Sequence, residues 1–239
     1  MKPLLALKLR IRNNPLLFRT FWTRHERPYW KRRVVRPGDA AVIEGYPRSA
    51  NTFATYAFLE SQEPGIKFGN HNHSPAQFLL ARRYQIPAML VLRNPLDAAL
   101  SLMIFDGAMS AEEALLRYIA FHRPLLPIAD SFVVAPFEEV TTDFGRSIER
   151  LNARFGTNFA PIHHDEAFAK TVIDQIADNR AKRIELYPHL LTANPLKTTT
   201  PTPEKEKRRK QLVAAFDHPS LDGLKATARG QYERLMARP

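Results

Sequence analysis

The sequence contains no cysteine among its 239 residues. This absence excludes disulfide bonds, cysteine-ligated zinc, iron–sulfur clusters and a cysteine nucleophile. It is compatible with a reducing compartment, and we expect a cytoplasmic protein. An apolar run of about 18 residues or more is also missing, so we expect no transmembrane helix. The first 30 residues carry scattered basic side chains that leave no apolar signal-peptide core.

Residues 1–40 form a basic segment that we interpret as an N-terminal arm. They hold 11 basic and 2 acidic residues, which gives a net charge of +9. The simplest prediction is an arm that packs on the main domain through Leu4, Leu5, Leu7 and Phe18. Peripheral contact of an amphipathic helix in this arm with a membrane surface is the alternative.

The net charge of +11 lies mainly at the two ends of the chain. Residues 179–239 hold 13 basic and 6 acidic residues, whereas residues 41–178 hold 11 basic and 16 acidic ones. A nucleic-acid-binding domain usually spreads its basic residues over a docking face. We therefore expect no nucleic-acid partner, and we expect a small polyanion or an acidic acceptor at a site that the ends help to cover.

Short apolar segments alternate with helical patterns, which predicts an α/β fold. Strands are predicted at Ala41–Gly45, Gly65–Gly69, Ala88–Leu92 and Ser131–Ala135. Helices are predicted at Asn51–Ser61, Pro75–Tyr84, Pro95–Phe105 and Ala111–Phe121. A fifth helix is predicted to begin after an N-cap at Thr141 or Thr142 and to end at Gly156. Continuous apolar strands are typical of parallel sheets covered on both faces. The prediction is a three-layer domain over residues 41–239, with a central parallel sheet flanked by helices and a helical C-terminal part at 157–239.

The segment Gly45–Phe53 follows the first predicted strand and opens a helix. This arrangement directs backbone N–H groups and the positive end of the helix at an anion. Compared with the Walker A pattern GxxxxGK[ST], Ala50 and Asn51 stand where the second glycine and the lysine belong. Without that lysine the loop is poorly suited to the β and γ phosphates of ATP, and Arg48 supplies a cation three residues earlier. An ordinary strand-to-helix turn with a capping side chain is the alternative interpretation.

A second polar motif, RNPLDAALS, leaves the strand at 88–92 and enters a helix. Pro95 lies in the first helical turn, where its missing N–H is harmless. Arg93 offers a forked donor to a phosphate and Ser101 a hydroxyl. We expect Asp97 to be a first-turn residue favoured by the helix dipole rather than a catalyst. The alternative is a structural arginine that binds carbonyl groups at a helix end.

The two motifs together resemble the sulfotransferases that use PAPS (3′-phosphoadenosine 5′-phosphosulfate). The family's loop typically reads YPKSGTTW where this chain has YPRSANTF at 46–53, and the family segment RNPxDxxxS recurs here with its spacing intact. The resemblance covers about residues 41–156. It implies a P-loop-like α/β domain that transfers a sulfuryl group from PAPS to a hydroxyl or amine.

The resemblance also implies roles for individual residues. The 5′-phosphosulfate would be held by Ser49, Ala50, Asn51 and Thr52, and Arg48 would neutralise the bridging oxygen as its bond to sulfur breaks. Phe53 would pack on the adenine, and Arg93 and Ser101 would bind the 3′-phosphate. Three positions depart from the family. Arginine replaces lysine at 48, which keeps the charge but changes its reach and geometry. Alanine replaces glycine at 50, which narrows the loop. Phenylalanine replaces tryptophan at 53, which removes an indole N–H.

The segment GNHNHSP at 69–75 follows the second predicted strand, at the end of the sheet where ligands bind. Cytosolic members of the family carry K-x-H-x-P here and use the histidine as the base, which places His73 in that role and His71 at the lysine position. Neutral imidazole suits proton abstraction near pH 7. His71 and a carboxylate, Glu44 or Asp106, are the alternative bases. No third ligand lies near the two histidines, so we expect no metal.

Three further segments carry weaker signals. Phe137 replaces the tyrosine of the family's FYEDM segment, and the family's C-terminal RKG motif is absent. The nearby basic residues that might close over the 3′-phosphate are Lys205, Lys207, Arg208, Arg209 and Lys210. The HHDE segment at 163–166 looks like a metal-ligand set, but we expect a solvated cap at the start of a helix.

The sequence leaves three functions to compare. The first is a PAPS-dependent sulfotransferase with a small-molecule, glycan or lipid acceptor. The second is a nucleotide-dependent kinase of the P-loop class, against which the missing Walker lysine argues. The third is a non-catalytic protein that binds polyanions or a membrane surface through its basic arm.

Overall fold

The computed structural model describes residues 3–23, 33–187, 195–198 and 201–238. Its centre is a four-stranded sheet in the order β2-β1-β3-β4, in which every pair of neighbours is parallel. The strands are β1 (Ala41–Gly45), β2 (Phe68–Asn70), β3 (Ala88–Leu92) and β4 (Val133–Pro136). The predicted α/β class with a central parallel sheet is therefore confirmed.

Helices cover both faces of the sheet. They are α1 (Pro3–Asn13), α2 (Pro15–Thr23), α3 (Asn51–Ser61), α4 (Ala76–Tyr84), α5 (Pro95–Asp106), α6 (Ala111–His122), α7 (Phe137–Thr142), α8 (Phe144–Phe155), α9 (Glu166–Leu186), α10 (Pro203–Leu212) and α11 (Asp222–Met236). Within the described ranges, no helix is long and apolar enough to cross a membrane.

Alternation along the strands explains the three layers. Successive side chains of a strand point to opposite faces. Val42, Leu90 and Val134 accordingly pack with α4, α5, α6 and α11 on one face. Ile43 and Met89 pack with α3, α8 and α9 on the other. Both faces are buried, which is why these strands are mostly apolar, with Glu44 of β1 as a buried exception.

Several predicted boundaries were wrong. The fourth strand begins at Val133 rather than Ser131, because Ser131 still belongs to a 3-10 helix at Arg123–Ser131. The second strand begins at Phe68 rather than Gly65, because the chain is still turning at Gly65, whose φ is +85°. Thr141 and Thr142 do not cap α8. They belong to the short helix α7, where their hydroxyls donate to carbonyl oxygens of the preceding turn. The predicted end of α8 is confirmed, since Gly156 has a left-handed φ of +66°.

The N-terminal segment packs on the domain, but not through all the expected leucines. Phe18 is fully buried in the core and Leu5 is buried, whereas Leu7 is 55% exposed. The side chain of Leu4 lies outside the described residues. Farther along, Arg12 of α1 donates from Nη2 to the Asn72 carbonyl oxygen at 2.7 Å. This contact brings the basic helix α1 next to the segment that follows β2.

Candidate functional site

The candidate site lies at the carboxyl ends of β1, β2 and β3. From β1 the chain crosses to one neighbour, β2, and then to the other, β3, so the direction of the sheet order reverses next to β1. Ligands of open α/β sheets bind in the crevice at such a reversal. The phosphate-loop motif follows β1, the histidine motif follows β2 and the arginine motif follows β3. The fold thus brings together the three polar motifs singled out in the sequence.

The loop between β1 and α3 has the conformation of an anion-binding turn. Arg48 and Ala50 are left-handed, with φ of +70° and +64°. No side chain caps the amino end of α3, which leaves its first N–H groups directed into the loop. Gly45 is required because a Cβ there would overlap the Val91 carbonyl oxygen of β3. Ser49 is fully buried, and its hydroxyl has no hydrogen-bond partner among the described residues.

Arg48 extends from this loop into a half-buried position between α5 and the C-terminal segment. Its Nε donates to the Ser101 hydroxyl at 3.3 Å and its Nη2 to the Thr198 carbonyl oxygen at 3.1 Å. The guanidinium also lies 5.0 Å from the centre of the Phe105 ring. Burial and, secondarily, the charge of Arg93 lower the pKa of Arg48 to about 10. Within the described part of the chain, no carboxylate forms an ion pair with it.

Arg93 connects the two sequence motifs directly. Its Nη1 donates to the Arg48 carbonyl oxygen at 2.8 Å, and its guanidinium lies 3.9 Å above the Phe137 ring. Burial lowers its pKa even though Asp97 acts in the opposite direction. Phe137, where the family has tyrosine, therefore acts through its ring face rather than a hydroxyl. Asp97 lies in the first turn of α5 as expected.

The C-terminal helices add cations to this cluster. Lys205 of α10 donates to the Thr198 carbonyl oxygen at 2.7 Å, so it shares that acceptor with Arg48. Burial first, and then the charges of Arg48 and Arg180, lower the pKa of Lys205 to about 8. Arg209 forms an ion pair with Asp97 at 2.6 Å. We call Arg48, Arg93 and Lys205 the cation cluster.

Sequence reasoning found this C-terminal contribution only in part. Lys205 and Arg209 were among the five candidates, but Lys207 and Lys210 are exposed and Arg208 bonds to Gln211 of its own helix. Arg180 on α9 was missed. No local motif marks it, and only the packing of α9 near residues 197–205 brings its charge close to Lys205.

Phe53 stacks on His164. The family resemblance implied that this ring packs on the adenine. The ring centres are 5.5 Å apart with an interplanar angle of 17°. His164 also accepts a hydrogen bond at Nδ1 from the Phe144 N–H. The expectation that the whole HHDE segment is a solvated cap was therefore wrong at His164. It holds for Asp165, which caps α9 through the Phe168 N–H, and for His163, whose side chain is 92% exposed.

The two histidines after β2 do not lie in an extended segment as expected. Both are left-handed, with φ of +59° at His71 and +52° at His73, and their ring centres are 5.0 Å apart. Nδ1 of His73 lies 3.0 Å from the Gly45 carbonyl oxygen. A carbonyl only accepts, so Nδ1 carries the proton and Nε2 of the neutral ring carries the lone pair. Nε2 of His71 lies 3.5 Å from the Thr52 hydroxyl.

Glu44, one of the alternative bases, lies directly behind His73. Its carboxylate is fully buried and accepts from the Gly45 N–H at 3.0 Å and the Asn72 N–H at 2.7 Å. Burial raises the pKa of Glu44 to about 7, although backbone N–H groups and Arg12 lower it. With its oxygens held by the backbone, Glu44 is oriented away from an incoming acceptor. Asp106 is exposed at the end of α5, where it accepts from the Ala108 N–H.

A small cavity opens beside His73. Its volume is about 30 Å³. The lining residues are Leu9, Arg12, Asn13, Tyr46, Pro47, His73, Pro75, Arg117 and Phe121. Residues of α1 form one wall, so the N-terminal arm borders the space beside His73. Across the described ranges, no three His, Asp or Glu side chains form a group that could hold a metal ion.

Comparisons with known proteins found similarity among solved structures. No protein-family model matches the chain, and no curated protein matches it. Among solved structures, the chain is similar to the crystal structure of the mouse sulfotransferase SULT7A1 complexed with PAP, with 13% identity and a TM-score of 0.42. The alignment covers 82% of this chain and 90% of that one. The site described above does not depend on this similarity.

Proposed function

We propose that this protein is a sulfotransferase that takes a sulfuryl group from PAPS. The observation that carries the proposal is the cation cluster. Arg48 and Arg93 lie at the phosphate loop and Lys205 shares an acceptor with Arg48. Burial, together with repulsion from neighbouring arginines, lowers the pKa of all three. Like charges gathered in this way favour a ligand with several negative charges. A base candidate, His73, follows the neighbouring strand.

The residues present fit such a donor. The buried Ser49 hydroxyl has no partner among the described residues and is available to a phosphate or sulfate oxygen. The left-handed residue Ala50 and the uncapped start of α3 provide N–H donors. Ser101 and Arg93, on α5 and at the end of β3, provide a second set of donors for a separate phosphate. Two anion-binding sets suit a nucleotide that carries charge at both its 5′ and 3′ positions.

The chain's own groups can perform the transfer without a metal. The donor, when bound, supplies a sulfuryl group activated by its link to phosphate. Nε2 of His73 takes the proton of the acceptor hydroxyl or amine, and the acceptor atom forms the new bond to sulfur. The bond from sulfur to the phosphate oxygen breaks, and its electron pair stays on that oxygen. Arg48 neutralises the charge that develops there.

A kinase is the principal rival, and the loop argues against it. Asn51 stands where the Walker lysine belongs, and its Nδ2 donates to the Tyr46 carbonyl oxygen at 2.8 Å. The side chain is thus used within the loop and does not extend to a terminal phosphate. The one nearby carboxylate on β1, Glu44, is bound to backbone N–H groups rather than placed for a magnesium ion.

Adenosine 3′,5′-bisphosphate, the product nucleotide, is expected to stabilise the protein more than ATP–Mg. At a concentration 100 times its Kd, a ligand adds about 2.7 kcal/mol of stability, which corresponds to a rise in Tm of about 5–10 °C for a chain of this size. Thermal unfolding followed by tryptophan fluorescence measures the difference. Stabilisation by ATP–Mg alone would contradict the proposal. Stabilisation by neither nucleotide would favour the polyanion-binding alternative.

Affinity for the bisphosphate is expected to fall as the pH rises above about 8. The pKa of Lys205 is lowered to about 8, so the free protein loses this charge above that pH. An anion binds the protein better when Lys205 is charged. Above about pH 8, binding must therefore include uptake of a proton by Lys205, which lowers the affinity by up to about tenfold per pH unit. Isothermal titration between about pH 7 and pH 9.5 tests this expectation.

The matched variant for this experiment is Lys205→Gln. It should bind the bisphosphate more weakly at pH 7 and lose most of the pH dependence, because Arg48, with a pKa of about 10, keeps most of its charge over the range. The second pKa of a phosphate group is about 6, so its ionisation is nearly complete at pH 7 and contributes little above it. A pH dependence that survives in Lys205→Gln would exclude Lys205 as its source.

A further inference from the structure

A buried carboxylate contacts the side of the candidate base that faces away from the cavity. Oε1 of Glu44 lies 3.5 Å from Nδ1 of His73, and the Glu44 side chain is fully inaccessible to solvent. His73 is 18% exposed. The ring therefore has a buried side, toward β1, and an open side, toward the cavity that it lines. The carboxylate is on the buried side.

Glu44 also holds the backbone that carries the histidine. Its Oε2 accepts from the Asn72 N–H at 2.7 Å, while Oε1 accepts from the Gly45 N–H at 3.0 Å. His73 has a left-handed φ of +52°, a conformation that a non-glycine residue keeps only where the surroundings enforce it. One carboxylate thus connects β1, the start of the phosphate loop and the histidine turn. A buried carboxylate is costly in folding, so a role beyond packing is expected of it.

We propose that Glu44 is a positioning residue for His73. Together with the Gly45 carbonyl it keeps Nδ1 directed at β1, and its carboxylate stabilises the imidazolium that forms when the acceptor proton arrives at Nε2. The inference rests on the proposed function for the origin of that proton. The pairing of Glu44 with His73 is a property of the free protein and can be measured without substrate.

The other charged groups around His73 act against its protonated form. Arg12 of α1 and Arg117 of α6 line the same cavity, and His71 lies with its ring centre 5.0 Å away. Arg117 is partly neutralised by Glu113 at 2.6 Å. Arg12 donates to the Asn72 carbonyl oxygen. Glu44 is the carboxylate that offsets these cations at the Nδ1 edge of the ring.

The test is an NMR titration of the histidine side chains in protein labelled with ¹⁵N at histidine. The His73 signals are assigned by their loss in His73→Asn. In the unsubstituted protein we expect the neutral ring of His73 to carry its proton on Nδ1. In Glu44→Gln we expect the pKa of His73 to fall by about one unit or more, because an opposite charge within hydrogen-bonding range is removed. The Gly45 carbonyl remains in this variant, so the proton of the neutral ring should stay on Nδ1.

Glu139→Gln is the matched control. Glu139 is a partly buried carboxylate that follows another strand, and it is held by Arg150 and Ser147. Its substitution removes the same charge without touching the histidine turn, so the pKa of His73 should not change. If both variants lower this pKa equally, the effect is one of net charge and the proposal is overturned.

Activity gives a second measurement, with PAPS and phenol as the probe acceptor, because a phenolic hydroxyl of pKa about 10 still carries its proton at neutral pH. Glu44→Gln should lower kcat at least about tenfold with little change in the Kd of adenosine 3′,5′-bisphosphate. The acid limb of the rate profile should shift to lower pH, because His73 must be neutral to act and its pKa has fallen. Glu44→Asp, which keeps the carboxylate but shortens its reach, should give an intermediate His73 pKa.

The outcomes separate this inference from the proposed function. A His73 pKa that is unchanged in both Glu44→Gln and Glu44→Asp overturns the positioning role, even if the enzyme transfers sulfate. If Glu44→Gln does not fold, the Glu44→Asp titration decides the same question. A His73 pKa that depends on Glu44 in a protein that binds no bisphosphate would support the pairing and contradict the proposed function.

Discussion

Replacement of His73 by asparagine should lower the rate of sulfuryl transfer by about 10²–10⁴-fold, the usual contribution of a general base. Asparagine is chosen because it tolerates the left-handed backbone of this position better than most residues. The variant loses the imidazole whose Nδ1 is held by the Gly45 carbonyl and whose Nε2 takes the proton. The Kd for adenosine 3′,5′-bisphosphate should stay within about twofold, because His73 lies outside the cation cluster.

Two further histidine variants make this result interpretable. His71→Asn has the same backbone requirement and tests the alternative base, whose Nε2 is 3.5 Å from the Thr52 hydroxyl. His163→Asn changes a histidine that is 92% exposed and should leave transfer unchanged. Loss of transfer in His71→Asn with retention in His73→Asn would move the base to His71. Loss of bisphosphate binding in His73→Asn would place His73 in the nucleotide site instead.

Replacement of Arg48 by asparagine should remove most of the affinity for the bisphosphate together with transfer. Truncating one member of a buried charge contact costs about 2–5 kcal/mol, which is roughly 30-fold to several thousand-fold in Kd. The unliganded protein should lose less stability, because the lost bonds to Ser101 and Thr198 are offset by relief of repulsion toward Arg93 and Lys205. Titration calorimetry and thermal unfolding measure the two effects separately.

Arg48→Lys is the informative companion to this variant. This variant has the positive charge that Arg48→Asn lacks, and lysine is the usual residue here in the sulfotransferases that the sequence resembles. It lacks the forked geometry that reaches both Ser101 and Thr198. We expect it to regain part of the affinity. Arg229→Lys is the control. It makes the same exchange at an exposed position of α11, where it should leave the bisphosphate affinity unchanged. Bisphosphate affinity that is unchanged in Arg48→Asn would contradict the assignment of the loop as the phosphosulfate site.

Main-chain oxygen atoms accept hydrogen bonds from the cations of the site. Arg48 and Lys205 both donate to the Thr198 carbonyl, and Arg180 donates to the Lys197 carbonyl at 2.9 Å. A ligand that accepts hydrogen bonds from these donors must replace the carbonyl oxygens of residues 197–198 as their acceptors. We therefore expect binding of the proposed nucleotide to depend on the position of residues 197–198, whose carbonyl groups bond to Arg48, Lys205 and Arg180.

Local patterns were sufficient for the parts of the fold that depend on short-range physics. The bounds of β1, α3 and β3 were predicted to the residue, because each is a continuous apolar or helical segment bordered by turn-forming residues. The second strand was placed too early, since the sequence cannot show where pairing with β1 begins. The cap of α8 was misplaced because α7, only six residues long, has no periodicity to recognise.

The sequence by itself determined which polar motifs lie near the ends of the strands. The loop at 45–53, the Arg93–Ser101 spacing and the two histidines each lie within a few residues of a strand end, so parallel pairing alone brings them to one edge. Tertiary structure decided the contacts made over long distances along the chain. Glu44 meets His73, and Lys205 meets the Thr198 carbonyl beside Arg48, only because β1 adjoins β2 and α10 packs on α5. Such contacts follow from burial and packing of whole elements, which no local pattern encodes.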